Sequence, residues 1–134
     1  MRVYARGVSF LSLLVVGYVT LMGCNTLNPL CGSARPVPQI ASISPSTVSF
    51  ADVQEGFTLI VNGSQFVSTS EVVINSTALA ATVVSAQQMK VKLSTAVIQE
   101  PGLVKVMATT PSGNSGDVGC KSGGNSSVLM LTVN

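Results

Sequence analysis

Three cysteines are the most reactive side chains in this chain, and the first of them, Cys24, closes the run Leu21-Met22-Gly23-Cys24. A thiolate is a strong nucleophile and can carry an acyl-glycerol group as a thioether, which serine or alanine could not hold in the same way. Cys31 and Cys120 are the other two. The chain contains no histidine. A Ser–His–Asp or Cys–His arrangement is therefore excluded within it, and two further cysteines supply too few ligands for the usual zinc sites. The acids after Cys24 are Asp52, Glu55, Glu71, Glu100 and Asp117. Asp52 and Glu55 lie nearest one another, and their plainest reading is a solvated loop before Gly56. The glycines at 113, 116, 119, 123 and 124 follow no strand-to-helix pattern that would cradle phosphate. No cofactor and no metal site is implied, and the chain reads as a non-enzyme.

The segment ahead of Cys24 has the parts of an export signal. Arg2 and Arg6 precede a nearly continuous apolar stretch over 8–22 that ends at the small residue Gly23. The stretch is short for a membrane span, which needs about 20 apolar residues. Together with Leu21-Met22-Gly23-Cys24 it resembles the lipobox of bacterial lipoproteins. The resemblance implies a signal peptide over 1–23, cleavage before Cys24 and lipid on the Cys24 sulfur. Two or three acyl chains hold a small domain at a membrane, each buried CH₂ contributing about 0.8 kcal/mol. Asn25 follows the cysteine rather than Asp, which favours the outer membrane if the cell is Gram-negative. The alternatives are an uncleaved N-terminal helix, or ordinary cleavage that leaves Cys24 free.

Loss of 1–23 changes the meaning of the formal net charge of +2. Arg35, Lys90, Lys92, Lys105 and Lys121 then balance the five acids. There is no basic stripe to neutralise phosphates, so nucleic acid is not an expected partner. Both tyrosines, Tyr4 and Tyr18, also lie in the leader, leaving Phe50, Phe57 and Phe66 as the aromatics of the mature chain. Sugar binding by aromatic stacking is accordingly disfavoured.

Residues 24–37 read as the lipidated N-terminus and a flexible tether, broken by Pro29, Gly32 and Pro36. From Pro38 onward, short runs of β-type residues alternate with turn residues, the pattern of a β-sandwich. Phe57, Leu59 and Val61 share one face, with Asn62-Gly63 expected to end that strand. Met89-Lys90-Val91-Lys92-Leu93 alternates most cleanly, lysines outward. Strands are also expected at Gln39–Ser44, Glu71–Asn75, Ala81–Ser85, Leu103–Thr110 and Val128–Val133. No segment sustains a helical period.

The order of these pieces resembles IPT/TIG domains, an immunoglobulin-like fold. Pro38-Gln39-Ile40-Ala41-Ser42-Ile43-Ser44-Pro45 matches the family's opening. Phe57 to Phe66 matches its strand, glycine and phenylalanine, and Val72 to Asn75 with Ala78 and Leu79 matches the next strand and turn. Pro101-Gly102 and the final Leu129/Leu131/Val133 strand complete the set. The resemblance covers 38–134 and implies an all-β, immunoglobulin-like β-sandwich. Domains of this family serve in receptors, transcription factors, polysaccharide-processing enzymes and bacterial surface proteins, so the fold alone does not fix a function.

The chain departs from the family in the stretch Pro111–Asn125, which is long and rich in Gly and Ser where the family has a short loop. Ser112, Asn114, Asp117, Lys121 and Asn125 are its candidate binding residues, because recognition tends to sit on loops held by a rigid scaffold. With Cys24 lipidated, Cys31 and Cys120 remain in an oxidising compartment and favour one disulfide; two free thiols or a bond between molecules are the alternatives. The expectation is a non-catalytic binding or adhesion module, exported and lipid-anchored in the bacterial envelope. Its partners would be the membrane, through Cys24, and an unknown protein or polysaccharide. The alternative is a structural spacer or accessory subunit of an envelope or surface-polysaccharide complex.

Overall fold

The computed structural model describes residues 34–113 and 122–134. They form two antiparallel sheets packed face to face, with one strand added in parallel. In chain order the elements are β1 (Gln39–Ser44), β2 (Thr47–Val48), α1 (Phe50–Glu55), β3 (Phe57–Ser64), β4 (Glu71–Ile74), β5 (Thr77–Ala80), β6 (Thr82–Ser85), β7 (Gln88–Leu93), β8 (Gly102–Thr110) and β9 (Gly124–Val133). One sheet runs β1-β3-β7-β6 and the other β2-β9-β8-β4-β5. This is the expected all-β sandwich.

Alternation supplies the core. Leu59 and Val61 of β3, Met89, Val91 and Leu93 of β7, Val104, Val106 and Ala108 of β8, and Leu131 and Val133 of β9 are all buried. Each stands two residues from the next, so a single strand face delivers them all inward. Complete burial of a side chain such as Leu59 contributes about 1.5–3 kcal/mol relative to leaving it exposed. In β7 the intervening Lys90 and Lys92 are exposed, as the sequence pattern requires.

Ile40 and Ile43 are three residues apart, which in a regular strand would send them to opposite faces. Their pairing shifts between Ile40 and Ser42: Ile40 lies opposite Gly63 and Ile43 opposite Val61. The bulge at Ala41 absorbs one residue and returns both isoleucines to the inner face.

Three local expectations are corrected. Asn62-Gly63 does not end β3; the strand continues to Ser64. Gly63 is needed for space, since a Cβ there would collide with the Gln39 carbonyl oxygen and meet the Phe66 ring. Asp52 and Glu55 do not lie in a loop but in α1, a six-residue helix. Its signal is Ser49-Phe50-Ala51-Asp52, a capping box: Ser49 Oγ accepts from the Asp52 N–H at 3.2 Å, and Asp52 Oδ2 accepts from the Ser49 N–H at 3.3 Å. The helix buries Val53 completely. Third, β9 starts at Gly124, so Asn125 belongs to a strand, opposite Thr109.

The register defines two poles. At one, β1, β7 and β9 begin while β3 and β8 end: Gln39 faces Ser64, Asn62 faces Gln88, and Thr110 faces Gly124. The chain arrives here from Ala34, so this is called the N-terminal pole. At the opposite pole lie α1, the Asn75-Ser76 turn, the 94–101 loop and the C-terminal Asn134. Asn134 is fixed there by its own N–H donating to the Val48 carbonyl at 3.0 Å and its carbonyl accepting from the Phe50 N–H at 2.7 Å.

Candidate functional site

The base of the Pro111–Asn125 stretch is built by residues that reach across from the start of the described chain. The Arg35 N–H donates to Ser122 Oγ at 2.9 Å. The Gly123 N–H donates to the Arg35 carbonyl at 2.7 Å. Arg35 Nη1 donates to the Pro111 carbonyl at 3.0 Å. Ser122 Oγ also accepts from the Gly113 N–H at 3.2 Å. One arginine thus ties both ends of the stretch to the segment that enters the domain. Gly123 has φ +68, and a Cβ on it would collide with the Thr110 carbonyl oxygen, so only glycine closes this base.

Beneath that base sits a buried hydroxyl pair. Ser70 Oγ and Thr110 Oγ1 lie 2.8 Å apart, at 2% and 1% exposure. Ser70 Oγ also accepts from the Val67 N–H at 2.9 Å. The pair joins the 65–70 loop to the end of β8. No buried side-chain nitrogen or oxygen among the described residues lacks a partner.

Of the candidate binding residues, Ser112 lies in the first part of the stretch and Asn125 in β9, where its Oδ1 accepts from Thr109 Oγ1 at 2.6 Å. Asn125 is thus an exposed residue on a strand rather than in the loop. Asn114, Asp117 and Lys121 fall outside the described residues, as do Cys24, Cys31 and Cys120. Arg35 and Ser122, four and two residues from Cys31 and Cys120, are hydrogen-bonded to one another.

The opposite pole carries two open depressions. One, of about 310 Å³, is lined by Pro45, Thr47, Asp52, Glu55, Phe57 and Thr58 among others. The second, of about 360 Å³, lies along 97–104 beside Asn75. Asn75 is occupied there: its N–H donates to the Lys105 carbonyl at 3.0 Å and its Oδ1 accepts from the Lys105 N–H at 2.9 Å. Asp52 is likewise engaged by Ser49, with Ser49 Oγ donating to Oδ2 at 2.6 Å. Among the described residues, no group of three or more His, Cys, Asp and Glu side chains is placed to hold a metal ion.

The two outer faces differ. On the β1-β3-β7-β6 sheet, Ser42, Asn62 and Gln88 stand opposite one another, and Gln88 Nε2 donates to Asn62 Oδ1 at 3.1 Å. On the other sheet, Ala78, Val73, Met107 and Val128 form one apolar cross-strand row, with Met130 and Leu103 exposed beyond it. The sequence pattern carried this contrast in the outward positions of the strands, but it emerges only once register is known.

Comparison with known proteins gives a family. No curated protein sequence matches the chain. A solved auxiliary nutrient binding protein from Bacteroides ovatus is similar at 11% identity and a TM-score of 0.48, over 74% of this chain and 21% of that one. This chain thus spans about a fifth of that protein's length. The family model for the IPT/TIG domain matches residues 38–128, from the proline that precedes β1 into β9. With most of its length matched and with the two-sheet architecture described above, the chain belongs to the IPT/TIG domain family.

Proposed function

We propose that this protein is a non-catalytic binding module of the bacterial envelope, held to the membrane by lipid on Cys24 and contacting its partner through the stretch between Thr110 and Gly124. The observation that carries the reading is the Arg35 tie. The Arg35 N–H, carbonyl and guanidinium close the base of the stretch, which supports its presentation from one fixed pole of the sandwich. The partner would be a protein or polysaccharide of the envelope. The closed base gives the contact residues Ser112, Asn114, Asp117 and Lys121 a rigid platform. The lack of histidine supports a role without catalysis.

A Cys31–Cys120 disulfide fits the same arrangement. It would add a covalent bond where Arg35 and Ser122 already bring the two strands of chain into contact.

The test replaces Asn114, Asp117 and Lys121 with alanine in the full chain and follows cross-linking in intact cells. The proposal expects a discrete cross-linked partner that disappears in the variant while the far-UV circular dichroism is unchanged. Cross-links that persist at wild-type level would contradict it.

A further inference from the structure

The outer face of the sheet β2-β9-β8-β4-β5 is apolar at its centre and carries one charge of each sign. Leu103, Met130 and Val128 on it are 68%, 49% and 47% exposed, where β7 of the other sheet turns Gln88, Lys90 and Lys92 outward. The five strands contain two charged residues, Lys105 of β8 and Glu71 of β4. Lys105 lies opposite Met130, in the outward row on one side of the Ala78–Val73–Met107–Val128 row. Glu71 lies opposite Thr109, in the outward row on the other side. Four residues along the strand, about 13 Å, and one strand across, about 4.8 Å, separate the two charges. At about 14 Å they are too far apart to pair within one chain.

We propose that this face is a self-association surface, covered by the same face of a second copy of this chain about a two-fold axis, with Lys105 of each copy against Glu71 of the other. Such an axis must bisect the line from Lys105 to Glu71. Any two opposite charges define one; its place and its tilt are particular to this sheet. The bisector passes between Met107 and Val73, at the middle of the apolar row. Each of these residues then meets its own counterpart, and the two ion pairs flank an apolar centre, as in an isologous interface with a polar rim.

The tilt follows from the hand of the sheet. The Lys105 N–H donates to Asn75 Oδ1 and the Lys105 carbonyl accepts from the Asn75 N–H, so both point toward the end of β4. With β8 running upward and Lys105 toward the viewer, β4 is therefore on the right. The axis then crosses the strands of the two copies at about −40°, near the roughly −30° at which twisted sheets pack face to face. Charge pairing and sheet packing thus select the same arrangement. A patch four strands wide and four outward residues tall measures about 500 Å², so the pair removes about 1,000 Å² from water. That is the lower limit of a specific interface, and the dimer is correspondingly weak. Neither the loop-binding reading nor the lipid anchor enters the argument.

The test is sedimentation equilibrium of the full chain from about 10 μM to about 1 mM, followed by interference optics because the chain has no tryptophan. The wild type is expected to show a concentration-dependent monomer–dimer equilibrium. Lys105→Glu sets Glu against Glu twice, and Glu71→Lys sets Lys against Lys twice; each is expected to weaken association at least about tenfold, with the melting temperature unchanged. The double swap Lys105→Glu/Glu71→Lys is expected to restore the homodimer, and a mixture of the two single variants to form a heterodimer. A wild type that stays monomeric throughout the range overturns the proposal. So does a dimer indifferent to the single swaps, or a double swap no better than either.

Discussion

The Arg35 N–H donates to Ser122 Oγ at 2.9 Å, and the Arg35 carbonyl accepts from the N–H of the next residue, Gly123, at 2.7 Å. A segment 87 positions earlier in the chain is thereby laid against the foot of β9. This contact makes the N-terminal pole a single construction: arriving chain, base of the Gly/Ser-rich stretch and end of β8.

A Cys31–Cys120 disulfide, enclosing 88 residues (120 − 31 − 1), is therefore expected to form within one chain. Oxidised protein is expected to be more stable than reduced protein by about 4–5 kcal/mol at most, the chain-entropy value for a loop of this length. Cys31→Ser, Cys120→Ser and the double variant should lose the same amount, since each breaks the same bond. Urea denaturation with and without reductant measures this. Single variants that differ, with the double variant worse than either, would exclude the pairing.

The buried hydroxyl pair predicts a coupled response. Ser70→Ala leaves Thr110 Oγ1 and the Val67 N–H without their partner and should cost about 1–3 kcal/mol. Adding Thr110→Val removes the orphaned hydroxyl, so the double variant should cost less than the two single changes summed. Denaturation midpoints followed by circular dichroism supply the comparison.

Gly63 and Ser49 test two kinds of local fit. Gly63→Ala should destabilise by roughly 1–3 kcal/mol, because the Gln39 carbonyl and the Phe66 ring must move apart from the added methyl. Ser49→Ala removes the cap of α1 and should cost about 1 kcal/mol. Asp52→Asn should cost less than Asp52→Ala if the amide oxygen still accepts from the Ser49 N–H. Thermal melts of the variants check all of these.

Much of this was readable in the residues. Strict alternation in β7 and β8, with Met89, Val91 and Leu93 inward and Lys90 and Lys92 outward, determines face and burial without further help. α1 is invisible to hydrophobic patterning because six residues are less than two turns and show no hydrophobic period. Its only signal is Ser49 three residues before Asp52. β5 escaped because Thr77-Ala78-Leu79-Ala80 is weakly apolar, and its strand character comes from pairing with β4 across the Asn75-Ser76 turn. Both turn residues have positive φ, 46° and 80°, as a tight hairpin of this hand requires. Asn125 reads as loop because it closes the long Gly- and Ser-rich stretch from Pro111. Register with Thr109 and Thr110 overrides that local preference. The Arg35 contacts are long-range, and no local pattern announces them.

Anchoring through Cys24 is checked by the intact mass of protein purified from its own membranes. The expected chain begins at Cys24, carries added acyl groups, and is two hydrogens lighter before reduction than after. A mass that retains residues 1–23, or one that lacks lipid, would contradict it.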